Sequence, residues 1–405
     1  MSYDPNSEFI KKKFEDVCVC TRPWTTMEER HVFGEYRVCC WMQDLIGKSA
    51  KDETHDFMPL WKSEAVEKIR HKLIKGKSGD ICTPFCPVIR NRRNYFDKVE
   101  FFSYEPDEYS GFDSAFIENR EKVIESILQK RVKIDTYPLR LKLHPSNLCN
   151  LNCRMCNLDR KSRVSVSKAY IDNLVKLLPY LENLDVFGGE PFCCETARWI
   201  MFSGILKHYP HTHFSTVTNG TLLNASALEQ LKGVRLGNIE FSLDASTAET
   251  YEKIRIGADF KTTMENVDRF VKERDMGNVS VKYVGALFVI QDINYHEISS
   301  FIELTHSKGI TPDFCFVGGS SELQFLIDEV KESIQEGIKK ADQLNEGIVK
   351  ANLNYLLQGY DGYIRQMQKI KLASVFGEKW KSSLLGFFNR QPKLRRVVKK
   401  VFKIR

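Results

Sequence analysis

Between Tyr137 and Val317 the chain alternates short runs rich in β-branched and aromatic residues with longer stretches whose apolar positions recur every three or four residues. The short runs predict strands over 138–143, 184–187, 213–218, 238–243, 281–289 and 313–317. The longer ones predict helices over 167–178, 195–208, 225–231, 247–255, 263–273 and 295–308. Ser246-Thr247-Ala248-Glu249 has the form of a capping box, in which Ser246 opens a helix and Glu249 reaches back to it. Strands that alternate with helices predict a parallel sheet with right-handed crossovers, whose active groups gather at the carboxyl ends of the strands. A β/α barrel and a doubly wound sheet both satisfy this pattern. After Val317 a Gly-Gly-Ser-Ser loop leads into two amphipathic helices, over 322–345 and 346–373, with the apolar stripe of core packing.

At 405 residues and 42% hydrophobic content the chain has material for two domains, or for one large barrel with an appendage. Met1 to Asp16 is charged and lacks a signal-like apolar core, and no window approaches the roughly 18 apolar residues of a membrane span. A cytoplasmic protein is expected. Twelve cysteines, bunched at 18–40, 82–86, 149–156 and 193–194, then point to metal or cluster binding under reducing conditions and away from disulfides. The net charge of +7 is unevenly placed, since ten Lys or Arg oppose one acidic residue from Glu378 to Arg405. The body is therefore not marked as a nucleic-acid binder. Any membrane-peripheral affinity, for anionic lipid or an acidic partner, belongs to the tail, where Leu384, Leu385, Phe387 and Phe388 precede the basic run from Lys393.

The most specific signal is Cys149-Asn150-Leu151-Asn152-Cys153-Arg154-Met155-Cys156, a C-x3-C-x2-C triplet directly after the first predicted strand of the alternating region. Three thiolates hold three corners of a cubane iron-sulfur cluster and leave one iron open, whereas a closed structural site takes four ligands. Cys193, the next cysteine, is too distant to complete a zinc knuckle. The triplet and its flanks resemble the radical S-adenosylmethionine (radical SAM) superfamily. The resemblance implies a partial (β/α)6 TIM-like barrel and a 4Fe-4S cluster held by Cys149, Cys153 and Cys156. It further implies S-adenosyl-L-methionine (SAM) on the open iron, reductive cleavage of SAM to a 5'-deoxyadenosyl radical, and hydrogen abstraction from a substrate.

Phe187-Gly188-Gly189-Glu190-Pro191 closes the second of these strands; its glycines let backbone approach a ligand, and its carboxylate suits an ammonium group. By resemblance, Gly188, Gly189, Glu190 and Pro191 form the motif that meets the methionine amino group of SAM. Thr218 and Asn219 follow the third strand, and Ser242 and Asp244 end the fourth, where the barrel reading places cofactor contacts; by resemblance a Ser or Asp here meets the ribose hydroxyls and Arg255 matches the arginine for the methionine carboxylate. On residue type alone Thr218, Asn219 and Ser242 also read as turn caps, and Arg255 as a surface charge.

Upstream, Cys20, thirteen residues, Gly34, four residues and Cys39 are followed by the pair Cys82 and Cys86. These segments resemble the SPASM/Twitch accessory domain, although that domain usually follows the barrel. The resemblance implies an auxiliary 4Fe-4S cluster on Cys20, Cys39, Cys82 and Cys86, with Cys18 and Cys40 as substitutes; a zinc knuckle is the alternative. Four protein ligands close such a cluster, which leaves it electron transfer.

The expected organisation is an auxiliary domain over 1–88, a linker and lead-in helix over 89–136, the core barrel over 137–320, C-terminal helices over 321–378 and the basic tail over 379–405. Cys193, Cys194 and Cys315 default to packing; Cys315 is in addition a candidate hydrogen donor to a product radical. The function expected is a radical SAM enzyme that makes a redox or epimerising change in a peptide or carbohydrate-type substrate, supplied by a one-electron donor such as flavodoxin or ferredoxin. A partner- or membrane-associated iron-sulfur or zinc protein without radical chemistry is the competing class.

Overall fold

The structure, a computed structural model, describes residues 20–30, 34–42, 45–48, 56–83, 86, 104, 106–159, 166–318 and 322–376. Cys18, residues 89–103 of the expected linker, residues 319–321 of the predicted loop and the tail 379–405 lie outside them. The chain divides into two compact units. The first comprises Met1–Asn150, Asn157–Glu240 and Asn266–Tyr283; the second comprises Leu151–Cys156, Phe241–Glu265 and Val284–Arg405.

The first unit is built on β1 (Thr26–Arg30), β2 (Glu35–Arg37), β3 (Gly47–Lys48), β4 (Arg140–Leu143), β5 (Asn183–Val186), β6 (His213–Thr218) and the opening residues of β7 (Leu236–Ser242) and β8 (Val281–Ile290). Their order is β3-β2-β1-β4-β5-β6-β7-β8. Strand β1 runs parallel to β4, β4 to β5 and β5 to β6, whereas β2 is antiparallel to β1 and β3 to β2. In the second unit the ends of β7 and β8 are followed by β9 (Thr311–Phe316), parallel to β8 from Gly285↔Thr311 to Ile290↔Phe316. All six predicted strands are therefore present, as β4 to β9, in a mixed α/β fold with a parallel sheet. Strands β1 to β3 were not predicted: Thr26-Met27-Glu28-Glu29-Arg30 carries three charges in five residues and no apolar alternation.

Register gives the sheet of the first unit two unlike faces. Leu141, Leu184 and Phe214 align across β4, β5 and β6 with no exposed surface, and burial of each contributes roughly 1.5–3 kcal/mol. The other face carries Glu28, Lys142, Asp185 and Ser215 in line. The lead-in helix, Ser114–Leu128, is capped by Asp113 and stacks Phe116 on His211 at 4.3 Å. Its Arg120 forms a buried ion pair with Glu182, just ahead of β5, at 3.1 Å. The amphipathic N-terminal helix Glu64–Ile74 buries Arg70, which donates to the carbonyls of Pro23 at 2.9 Å and Val132 at 3.1 Å.

Two helix predictions need correction. The stretch 195–208 is a helix, Glu195–Phe202, and a separate turn of 3-10 helix, Ile205–His208, because Gly204 at φ +81° turns the chain left-handed. At 246–249 the cap is Thr247 and not Ser246. Glu297 takes both the amide and hydroxyl of Ser246, at 2.6 and 2.8 Å, while Glu249 pairs with Lys253. The C-terminal helices run Ile327–Gln343 and Gly347–Phe376, divided at Asn345 with φ +58°. Among the described residues no helix is long and apolar enough to cross a membrane.

Candidate functional site

Of the residues singled out in the sequence, Cys149, Gly188, Gly189, Glu190, Pro191, Thr218, Asn219 and the N-terminal cysteines belong to the first unit. Cys153, Cys156, Ser242, Asp244, Arg255 and Cys315 belong to the second.

In the first unit the carboxyl ends of β4, β5 and β6 are tied together around Glu190. Gly189 has φ +51°, and a Cβ there would lie 1.9 Å from the carbonyl oxygen of Leu148, so the turn after β5 presses directly on the loop that carries Cys149. No side chain fits that gap. The amide of Glu190 donates to the same carbonyl at 2.7 Å. Its carboxylate, 1% exposed, accepts from the Thr218 hydroxyl at 2.7 Å, the Asn219 amide at 2.7 Å and the Phe192 amide at 3.2 Å. Asn219 donates onward to the Asn150 side chain at 3.0 Å, and Asn150 to Thr221 at 2.8 Å.

Asn150 was not singled out in the sequence, although it follows Cys149 directly. It also faces the Cys193 thiol at 3.9 Å. Burial, and next to it the charges of Glu190 and Cys149, push that thiol up to about 11. Cys194 is buried, whereas Cys315 on β9 is exposed and thus outside the packing default.

In the second unit the short segment Leu151–Cys156 is laced to the stretch after the helix Ala248–Ile254. The Asn152 amide donates to Ile256 and the Arg154 amide to Ile254, both at 2.8 Å. Arg154 adds a two-pronged pair with Asp292, at 3.0 and 2.9 Å. Cys153 is buried and Cys156 exposed, on one turn closed by a 3.1 Å backbone bond. Arg255, expected as a surface charge if not a ligand, is 8% exposed. It forms an ion pair with the fully buried Asp244 and directs Nη1 at the Cys153 sulfur, 3.6 Å away. Burial pushes the Cys153 thiol up, against the pull of this guanidinium.

The N-terminal cysteines of the first unit approach one another. Met42 and Cys82 form an antiparallel bridge, Thr83 donates to Trp41 at 2.9 Å, and Cys86 closes a turn on Thr83 at 3.1 Å. The Cys39 sulfur accepts from the Trp41 amide at 3.5 Å and from Arg22 at 3.7 Å. Two thiol pairs share hydrogen bonds, which hold Cys39 up against Cys40, lowered to about 6, and Cys82 up against Cys86. Both pairs feel the charge of Cys20. Cys40 in turn feels Glu28 and Lys142 on the polar face of the sheet.

Residues 143–305, from the end of β4 through the helix Ile298–His306, match the radical SAM superfamily as a protein family. This segment is a radical SAM domain. Among curated proteins it is similar to a GTP 3',8-cyclase of Syntrophomonas wolfei, 30% identical over 173 residues, which are 40% of this chain and 50% of that protein. It is also similar to a probable GTP 3',8-cyclase of Methanococcus maripaludis, 22% identical over 236 residues, 56% of this chain and 76% of that one. Thus the chain spans about half the length of the first of these relatives. Among solved structures, Streptococcus suis SuiB bound to S-adenosylmethionine has a TM-score of 0.42 at 16% identity, over 62% of this chain and 60% of that one.

The cofactors of the radical SAM superfamily are a 4Fe-4S cluster and SAM. The residues present fit them. None of Cys149, Cys153 and Cys156 is in a disulfide, and Cys153 stands beside a fixed cation, which favours a metal-bound thiolate. The Nε of Arg255, buried in the same surroundings, has no acceptor among the described residues, which suits an anionic ligand. Among the described residues no three His, Cys, Asp or Glu side chains already close round a metal-sized point.

Proposed function

We propose that the protein is a radical SAM enzyme. Cys149, Cys153 and Cys156 would hold a 4Fe-4S cluster, which would supply the electron for reductive cleavage of SAM and so for hydrogen abstraction from a substrate. The observation that carries this reading is the family match across the triplet. The Glu190 network supports it, because it fixes the cysteine loop to two neighbouring strand ends without using the thiols. Gly188, Gly189 and Pro191 shape the turn, with Thr218, Asn219, Ser242, Asp244 and Arg255 as contacts for SAM.

Cys20, Cys39, Cys82 and Cys86 are proposed to hold an auxiliary 4Fe-4S cluster that exchanges an electron with a substrate radical, with Cys40 beside them as a spare thiol. A flavodoxin or ferredoxin is proposed as the reductant. For the substrate, the polar face that carries Glu28, Lys142, Asp185 and Ser215 supports a polar small molecule. The names of the curated relatives make GTP the first candidate, ahead of the peptide or carbohydrate expected from the sequence.

The test is anaerobic reconstitution with iron and sulfide, followed by reduction in the presence of SAM. We expect 5'-deoxyadenosine from the reconstituted protein and none after joint replacement of Cys149, Cys153 and Cys156 by Ala. Retention of its formation in the triple variant would overturn the assignment. Deuterium carried into 5'-deoxyadenosine from labelled GTP, peptide or sugar then decides the substrate.

A further inference from the structure

We propose that Arg255 is a positioning residue for the iron-sulfur cluster: it donates a hydrogen bond to the Cys153 sulfur and thereby raises the potential at which the cluster accepts its electron. This rests on the radical SAM reading but gives Arg255 a task separate from the methionine carboxylate.

Three features of the second unit make the contact a built one. First, the arginine and the cysteine are held by the same pair of backbone bonds. Asn152 to Ile256 and Arg154 to Ile254, both 2.8 Å, flank Cys153 on one side and Arg255 on the other, so the two residues cannot drift apart independently.

Second, the guanidinium is anchored from behind. Asp244 pairs with Nη2 and is itself fixed, since its Oδ1 accepts from the Val289 amide at 2.7 Å and its carbonyl accepts from Asn294 at 2.8 Å. Asp244 also sits at φ +63°, a left-handed backbone uncommon outside glycine, asparagine and aspartate. Third, the nitrogens are divided among partners. Nη2 serves Asp244 and Nη1 serves Cys153, while the buried Nε has no acceptor among the described residues and is left for the SAM carboxylate. A planar fork supports this division; a lysine ammonium does not.

The electrostatic consequence has a definite sign. Reduction adds negative charge to the cluster and its thiolates, and a cationic donor on one sulfur stabilises the reduced form more than the oxidised one. Because the site is buried, solvent screens this interaction little.

The experiment is a redox titration of the holoprotein, followed by electron paramagnetic resonance of the cluster whose signal changes on addition of SAM. It compares wild type with Arg255→Lys and Arg255→Met. Arg255→Lys retains a cation for Asp244 and keeps the test available if Arg255→Met, which strands a buried carboxylate, fails to fold. At a fixed applied potential we expect about a tenfold lower ratio of reduced to oxidised cluster in Arg255→Lys, equivalent to roughly 59 mV for one electron. Iron content should be unchanged, and the shift should be larger in Arg255→Met. An unshifted potential with weaker SAM binding would overturn the proposal and leave Arg255 as a SAM ligand alone. A protein that assembles no SAM-responsive cluster in its wild-type form would instead overturn the functional reading on which it rests.

Discussion

Asp185 lies on β5 with 5% of its surface exposed, and its buried Oδ2 has no hydrogen-bond partner among the described residues. Register sets it between Lys142 and Ser215, yet Lys142 leans over the Phe187 ring at 5.4 Å and Ser215 donates to Asn183 at 2.8 Å. A buried carboxylate oxygen without a partner costs stability and is retained where it meets a ligand. Asp185→Asn should therefore raise the melting temperature of the ligand-free protein, by roughly 2–4 °C for each kcal/mol recovered. A fall in a thermal melt would show that the carboxylate holds the fold together. None of this was legible in the sequence, where a lone aspartate in a strand reads as a surface charge. Gly188, Gly189 and Glu190 were legible because turn chemistry is local. The partners of Glu190 were not, because they arrive from β6, about thirty residues later.

At the scale of elements, β1 is joined to the end of β4 through Glu29. Its Oε2 accepts from the His144 amide and from the Tyr170 hydroxyl, both at 2.9 Å. Burial nevertheless dominates and raises this carboxyl to about 7. The unfolded chain loses the proton near the ordinary glutamate value, so between about pH 4.5 and pH 7 the folded state holds more proton than the unfolded one. The contribution of Glu29 is thus favourable at acid pH and declines as pH rises through this window, by about 3 kcal/mol in all. Melting temperatures measured from pH 5 to pH 7.5 should decline less in Glu29→Gln than in wild type; parallel curves would refute the assignment. Strands β4 to β9 were legible because their apolar residues alternate or cluster. The charges that hid β1 find their partners only in three dimensions, as Glu28 does with Arg37 of β2 at 2.6 Å. The helix break at Gly204 and the cap at Thr247 were missed for a related reason: a left-handed glycine and the distant carboxylate of Glu297 decide them, and periodicity does not.

At the scale of the whole molecule, the radical SAM segment 143–305 contributes residues to both compact units, while the N-terminal cysteines belong to the first alone. Those cysteines share the unit with the polar sheet face, and Cys40 feels Glu28 and Lys142 on it. The auxiliary cluster proposed on these cysteines would then serve the substrate and leave SAM to the first. The two clusters should then be separable by mutation. Reconstituted wild type is expected to hold about eight iron and eight sulfide per chain, as two four-iron clusters. Joint replacement of Cys82 and Cys86 by Ala removes two of the four proposed upstream ligands and should lower both counts to about four. Reductive formation of 5'-deoxyadenosine from SAM should persist, because Cys149, Cys153 and Cys156 are untouched, and only the product of the substrate reaction should be lost. Iron and sulfide counts unchanged by the double replacement would remove these two cysteines from the ligand set, and zinc in place of iron and sulfide would replace the second redox centre by a structural one.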